Sequence, residues 1–153
     1  MMDVHRVLVA VKGTDLDEDL VRLACRVVRE NHGVVHVVYV IEVPRSQPVD
    51  VEDVEEADRG ENLLQTTERI AREAKCKVEA DVLQARDAGP TVVQEAVDRN
   101  VDLIFIAMPY KRRAGEFNLG NTVPFILKNA PCGVIFWRGS TPTHSKIAST
   151  PSL

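Results

Sequence analysis

Two short segments carry residues whose types and spacing could do chemistry. Lys12-Gly13-Thr14 closes the first apolar run, and Gly120-Asn121-Thr122 opens a helix late in the chain. Between the apolar run ending at Ala107-Met108 and that helix lies a loop bearing Lys111, Arg112 and Arg113 in succession. A strand, a loop and a helix start make a phosphate site, because the first helical turn offers unpaired N–H groups at the positive end of its dipole. Three cations beside such a turn could hold phosphate or another anion. The plainer reading is a solvated charged loop, balanced by Glu116 and by the acidic stretch from Glu52 to Glu61. Tyr110 and Phe117 in the same loop read as aromatics packed over the mouth of a crevice.

Other chemistries lack their residues. No Gly-x-x-x-x-Gly-Lys-Ser/Thr run is present, which excludes a P-loop, and no Gly-x-Gly-x-x-Gly follows the first strand, which disfavours a dinucleotide oxidoreductase. There is no His-Glu-x-x-His pair and no Gly-x-Ser-x-Gly elbow, and His5, His32, His36 and His144 are scattered. Nothing pairs a nucleophile with a base. No catalytic residue and no metal ligand is therefore assigned, and no resident cofactor is expected. His36, inside an apolar strand, reads as a packed or hydrogen-bonded structural residue. Cys25, Cys76 and Cys132 form no CxxC pair, and their odd number and wide spacing point to reduced thiols in a cytoplasmic protein. Cys25 and Cys132 read as packing residues. Cys76, between Lys75 and Lys77, reads as exposed, with a somewhat acidic thiol.

Strands and helices must alternate to position these segments. Arg6 to Val11 is a short continuous apolar run, read as a strand buried on both faces. A helix follows, with Asp15 and Glu18, or Thr14 and Asp17, at capping-box spacing. Leu16, Leu20, Leu23, Ala24, Val27 and Val28 recur on its inner face, and Gly33 suits a left-handed cap. Val34 to Ile41 is a second buried strand, Arg45 to Asp53 a loop, and Val54 to Lys75 a charged helix. That helix turns Ala57, Leu63, Leu64, Thr67, Ile70 and Ala71 inward. Lys77 to Gln84 alternates apolar and charged residues, the mark of a half-exposed edge strand. Pro90 suits the first position of a helix facing Val92, Val93, Ala96 and Val97 inward. Asp102 to Ala107, the helix Thr122 to Asn129 and the strand Gly133 to Trp137 complete the series.

This alternation predicts a single α/β domain whose parallel sheet is covered by helices on both faces. Right-handed crossovers give it a doubly wound order. Ligands of such sheets bind at the carboxyl ends of the strands where the order reverses, between the first and fourth strands, and the Lys12 turn and the Met108 loop both emerge there. Residues 139–153 offer Ser, Thr, Pro and Lys with few apolar anchors, so they read as a disordered tail behind a domain of 1–138.

The 153 residues suffice for one core. A net charge of -4 argues against a general nucleic-acid binder. No apolar run reaches the roughly 18 residues of a membrane span, so no membrane insertion is expected. Met1-Met2-Asp3-Val4-His5-Arg6 enters a strand at once, which argues against a secretory signal.

From about His5 to Arg138 the chain resembles the universal stress protein family. Val9-Ala10-Val11-Lys12-Gly13-Thr14 is similar to that family's opening Val-Pro-Val-Asp-Gly-Ser, and Val38-Tyr39-Val40 matches its second strand. Ala107-Met108-Pro109-Tyr110, nine residues, then Gly120-Asn121 falls on its nucleotide motif Gly-x-x-Gly, nine residues, Gly-Ser/Thr. Ala130-Pro131-Cys132 before the last strand also agrees. The resemblance implies a Rossmann-like five-stranded sheet in the order 3-2-1-4-5. It also implies a nucleotide crevice at Lys12, Gly13, Thr14, Val40, Ala107, Met108, Gly120, Asn121 and Thr122, beside which the charges of Lys111, Arg112 and Arg113 make them candidate anion contacts. Four residues depart from the motif. Lys12 stands where ATP-binding members carry an Asp that contacts the adenosine. Ala107 and Tyr110 replace glycines that let the backbone approach phosphate, and Asn121 replaces a hydroxyl residue. Pro109 also removes one N–H from the cradle.

The first functional reading is a cytoplasmic, non-enzymatic dimeric module in stress adaptation, acting through a partner protein and not holding ATP in the family's usual manner. The second is a sensor of an adenine nucleotide (ATP, AMP or a cyclic dinucleotide) through a rebuilt loop, regulating a transporter, since family relatives occur fused to or beside transporters. An adenylate-transferring enzyme is disfavoured by the missing catalytic constellation. The homodimer is expected through the final strand. Lys77, Glu79 and Asp81 protect the other edge, whereas Cys132-Gly133-Val134-Ile135-Phe136-Trp137 carries no charge until Arg138. Val134 and Phe136 would occupy one face and Ile135 and Trp137 the other, with the strands paired about a two-fold axis. The alternative cover for that edge is the C-terminal tail folded back.

Overall fold

The computed structural model of the chain describes residues 3–110, 112–113, 116–117 and 119–140. Strand β1 (Arg6–Val11) leads into helix α1 (Leu16–Val28), then β2 (Val34–Glu42), α2 (Val54–Ala74), β3 (Lys77–Ala85), α3 (Ala88–Asp98) and β4 (Leu103–Met108). Two-residue strands β5 (Arg112–Arg113) and β6 (Glu116–Phe117) follow, then α4 (Thr122–Asn129) and β7 (Gly133–Arg138). Five strands form one sheet in the order β3-β2-β1-β4-β7, every neighbouring pair parallel. Since β7 is the fifth strand of that sheet, this is the expected 3-2-1-4-5 order. The segment expected to be a plain loop instead pairs β5 with β6 as a short antiparallel ribbon.

Alternate residues of the central strands feed two cores. Val7, Val9 and Val11 of β1 pack with Val35, Val37, Phe105, Ile70 and the inner face of α1. Leu8 points the other way, joining Val38, Ile104 and Ile106 against Val92, Ala96, Val123 and Ile126. Helices α1 and α2 therefore cover one face, α3 and α4 the other. Each fully buried aliphatic side chain here contributes about 1.5–3 kcal/mol relative to exposure. The Asp102 carboxylate fixes the start of β4 against β1 by accepting from the N–H groups of His5 (2.8 Å) and Arg6 (3.0 Å).

Several inner faces are rotated from the sequence expectation. On α1 the buried stripe is Asp17, Leu20, Val21, Ala24, Cys25 and Val28, while Leu16, Leu23 and Val27 are half-buried. On α2, Gly60, Thr67 and Ile70 are buried and Ala57 is exposed. On α3, Ala88, Gly89, Val92 and Ala96 define the stripe, and Val97 lies off it, 52% exposed. Pro90 is the third residue of α3 and not the first; the opening N–H groups of a helix have no intrahelical acceptor, so its missing donor costs nothing there. The left-handed residue ending the first helical segment is His32 (φ 51°) and not Gly33. Gly33 is required for another reason: a Cβ there would sit 2.2 Å from the carbonyl oxygen of His5.

Contacts with the sheet continue one residue past Arg138. Gly139 is buried, and its N–H donates to the Met108 carbonyl at 2.8 Å. The expected tail from 141 to 153 lies outside the described residues.

Candidate functional site

The carboxyl ends of β1 and β2 open into a crevice of about 530 Å³. Its floor is Ala10, Val11, Val38 and Val40, and its walls are the segment from Ile41 to Pro44 and the start of α2. Two side chains from the end of β3 hold the outer wall in place. The Arg86 guanidinium donates to the carbonyls of Pro44 (2.6 Å), Gln47 (2.7 Å) and Val43 (3.4 Å). The Gln84 amide donates to those of Val49 (3.0 Å) and Val51 (2.8 Å).

Of the residues the sequence assigned to a nucleotide crevice, Lys12, Val40 and Thr122 line this cavity. Gly13, Thr14, Ala107, Met108, Gly120 and Asn121 do not. Ala107 packs toward the α1–α2 core and Met108 toward the α3–α4 core. Gly120 takes a left-handed conformation (φ 68°), and Asn121 stands at the N-cap of α4 without a side-chain cap. Lys111 lies outside the described residues, and Arg112 and Arg113 are placed only as backbone in β5. At the motif's Tyr110, the Arg138 guanidinium stacks over the ring at 4.7 Å from its centre. This cation–π contact ties the loop to the end of β7.

The β1–α1 turn already holds an anion of its own. The Asp17 carboxylate accepts from the backbone N–H groups of Lys12 (3.3 Å), Gly13 (2.8 Å) and Thr14 (3.1 Å). The Thr14 hydroxyl in turn accepts from the Leu16 N–H at 3.3 Å. Of the two capping frames in the sequence, Thr14 with Asp17 is the one formed, and Asp15 makes no side-chain cap. Asp17 is only 9% exposed; burial pushes its carboxyl above the usual range, against the pull of those N–H bonds. A similar device closes α3, where the Glu42 carboxylate accepts from the Ala88 N–H at 3.1 Å. The turn before α1 and the first residue of α3 thus direct N–H groups at this chain's own carboxylates.

The lining is rich in carboxylates: Glu42, Asp53 and Glu56 accompany the cations Lys12 and Arg59. The Tyr39 hydroxyl donates to Glu56 at 2.6 Å, and Arg59 meets the other Glu56 oxygen at 2.7 Å. Burial, with the Glu56 bond second, pushes the Tyr39 phenol up to about 12, so it stays a neutral donor at physiological pH. Sequence reasoning did not pick out Glu42, Tyr39, Glu56 or Arg59, because residues 39–59 meet at the crevice only through the fold. Asp17 had a visible signal in its three-residue spacing from Thr14. Among the described residues no group of His, Cys, Asp and Glu could hold a metal ion, and no helix is long and apolar enough to cross a membrane.

The sheet order and the crevice at its switch point can be set beside known proteins. A search of curated proteins found no match. Among solved structures, a universal stress protein from Archaeoglobus fulgidus superposes with a TM-score of 0.70 at 21% identity, covering 86% of this chain and 97% of that one. A universal stress protein from the same organism in complex with dAMP gives 0.67 at 20% identity, covering 88% and 98%. A universal stress protein family protein from Arabidopsis thaliana with AMP bound gives 0.64 at 20% identity, covering 97% and 96%. At these identities the likeness is one of fold. The model of the universal stress protein family matches residues 3–138, nearly all of the sheet and its helices. With that match and the β3-β2-β1-β4-β7 sheet together, the chain belongs to the universal stress protein family.

Proposed function

We propose that this chain is a non-enzymatic, dimeric universal stress module that does not hold ATP in the family's usual manner and acts through a protein partner. The observation that carries the reading is the Asp17 carboxylate seated on the N–H groups of Lys12, Gly13 and Thr14. The N–H groups of that turn are thereby taken, and the crevice beside it offers an incoming phosphate three carboxylates against two cations. The replacements at Lys12, Ala107 and Tyr110 act in the same direction. Calorimetric titration with Mg-ATP should show affinity weaker than micromolar, and native mass spectrometry of protein purified without nucleotide should show none retained. Micromolar or tighter binding would overturn the reading. Lys12→Asp combined with Tyr110→Gly should move affinity toward ordinary family behaviour.

The dimer is proposed through β7, whose outward side chains Ile135 and Trp137 are 39% and 50% exposed. Val134 and Phe136 on the opposite face pack against the α3–α4 core, so only one face of the strand remains for a partner.

A second reading, a sensor of an adenine nucleotide that regulates a partner such as a transporter, is favoured by one observation. Lys12, Val40 and Thr122 line a single cavity large enough for a nucleoside, and two of the structural relatives carry AMP or dAMP. Titration with AMP and with adenosine separates the readings. Binding of adenosine that phosphate does not improve would place the base in the crevice and leave Asp17 excluding the phosphates.

A further inference from the structure

Cys25 on α1 and Cys76 in the turn between α2 and β3 are far apart in sequence, and the fold brings them together. Both line one surface cavity of about 590 Å³, with Arg29, His32, Lys75, Lys77 and Glu73 around it. Cys25 also belongs to the α1–α2 core cluster, and Cys76 packs against that same cluster. Cys25 is only 1% exposed within the α1–α2 core, whereas Cys76 is half-buried at the cavity wall. Cys76 is held by its N–H donating to Ala71 (3.0 Å) and its thiol donating to the Lys77 carbonyl (3.7 Å). The Arg29 guanidinium reaches the Ala74 carbonyl at 3.5 Å, which keeps a cation beside the pair.

We propose that Cys76 and Cys25 form a peroxide-responsive dithiol, in which Cys76 reacts first and Cys25 closes an intramolecular disulfide tying α1 to the α2–β3 turn. The two environments divide the roles. Donation from the Cys25 thiol lowers the pKa of Cys76, and Arg29 adds to it; that same bond, together with burial, raises the pKa of Cys25. The thiolate is the nucleophile, so the accessible and more acidic thiol attacks and the sheltered one resolves. In the first step the Cys76 thiolate attacks one peroxide oxygen. An S–O bond forms, the O–O bond breaks, and the departing hydroxide takes a proton to leave as water. In the second step the Cys25 sulfur attacks the Cys76 sulfenic acid. The S–S bond forms, the S–O bond breaks, and the Cys25 proton leaves with the hydroxyl as a second water. The two sulfurs lose two electrons and the peroxide gains them; an external dithiol reverses the change.

Cys132 is the internal control. It packs against the α3–α4 core, and burial, then the nearby Asp102 charge, raises its pKa. The test is titration of the full, reduced chain with hydrogen peroxide, followed by alkylation of remaining thiols, intact mass and peptide mapping. The expected product is lighter by two hydrogens, carries a Cys25–Cys76 cross-link, retains Cys132 as a thiol and returns to the starting mass with dithiothreitol. Cys76 should react about tenfold or more faster than Cys132, in line with its more ionised thiol. Cys25→Ala should halt at a Cys76 sulfenic acid that dimedone traps, and should then over-oxidise. Over-oxidised Cys76 without the cross-link in the wild-type chain, a Cys76–Cys76 bond between two chains, or Cys132 reacting as fast as Cys76 would each overturn the proposal. Mapping of the wild-type chain decides the matter even if Cys25→Ala folds poorly.

Discussion

The two edges of the sheet solve the same problem in opposite ways. At β3 the outward charges are engaged in the fold. Arg99, at the end of α3, pairs with Asp81, meets Glu95 at 3.2 Å and donates to His36 Nδ1 at 3.1 Å, so one guanidinium links β2 and β3 to a helix. Among the described residues no such network covers the outer face of β7. Ile135 and Trp137 stand exposed, and Trp137 borders a shallow groove with Leu16, Leu20 and Leu23 of α1. A charged edge repels a second strand and also pins its own register. An apolar edge can do neither, and its exposed side chains gain most from a partner. The comparison assigns β3 to the interior economy of one subunit and leaves β7 as the surface we propose for the dimer.

The largest expected effect comes from breaking the apolar edge. Ile135→Lys should weaken self-association by about 2 kcal/mol or more, ~30-fold, as for a central interface anchor, read by light scattering across a dilution series. A wild-type chain that stays monomeric at tens of micromolar would remove the comparison's second half. Next in size is Arg99→Met. It leaves Asp81 and Glu95 without their cation and should cost about 1–2 kcal/mol in urea unfolding. Adding Asp81→Asn to that variant should cost little more, because the two residues act as a pair.

Ending the chain after Ser140 keeps the Gly139 bond to Met108 and should shift the melting midpoint by only about a few degrees, with the dimer intact. If that shortened chain instead aggregates, residues 141–153 were covering β7. The smallest effect concerns pH. Burial, with Arg99 second, lowers the pKa of His36 below its ordinary 6.5, while Glu79 and Asp81 oppose the shift and Arg6 adds to it. The folded chain therefore binds a proton at His36 less readily than the unfolded one. This contribution is fully present above pH 6.5 and is lost as pH falls from there through the lowered value. Denaturation of wild type and His36→Gln between about pH 7 and pH 5 should show a steeper acid loss in the wild type; parallel slopes would remove His36 from the edge network.

The alternation of apolar runs with amphipathic stretches made the α/β class legible, because burial on both faces and helical spacing leave different marks on a sequence. Strand order is not written in that pattern, and the family motifs supplied it. The β3 edge was legible from the charges that alternate along Lys77 to Gln84, whereas the last strand followed as the other edge from the family's strand order. Of the crevice residues the family resemblance implied, Lys12, Val40 and Thr122 line the cavity. The crevice was not legible at Glu56 and Arg59, whose place depends on how α2 packs beside the sheet.

The sequence by itself determined the element order, the two-sided sheet and the loss of the motif's glycines, since each rests on residue type and short-range spacing. Only the tertiary structure decided where hydrogen bonds and thiols meet. Asp17 had two capping frames to choose from, and the close of the β1–α1 turn selected the one that fills its own anion nest. Cys25 and Cys76 show the same limit. No spacing rule relates them, and the lowered pKa of Cys76 has Cys25 as its first cause, with Arg29 adding to it. Packing α1 against the end of α2 brings both cysteines to one cavity, and a meeting of that range depends on the path of the whole chain between them.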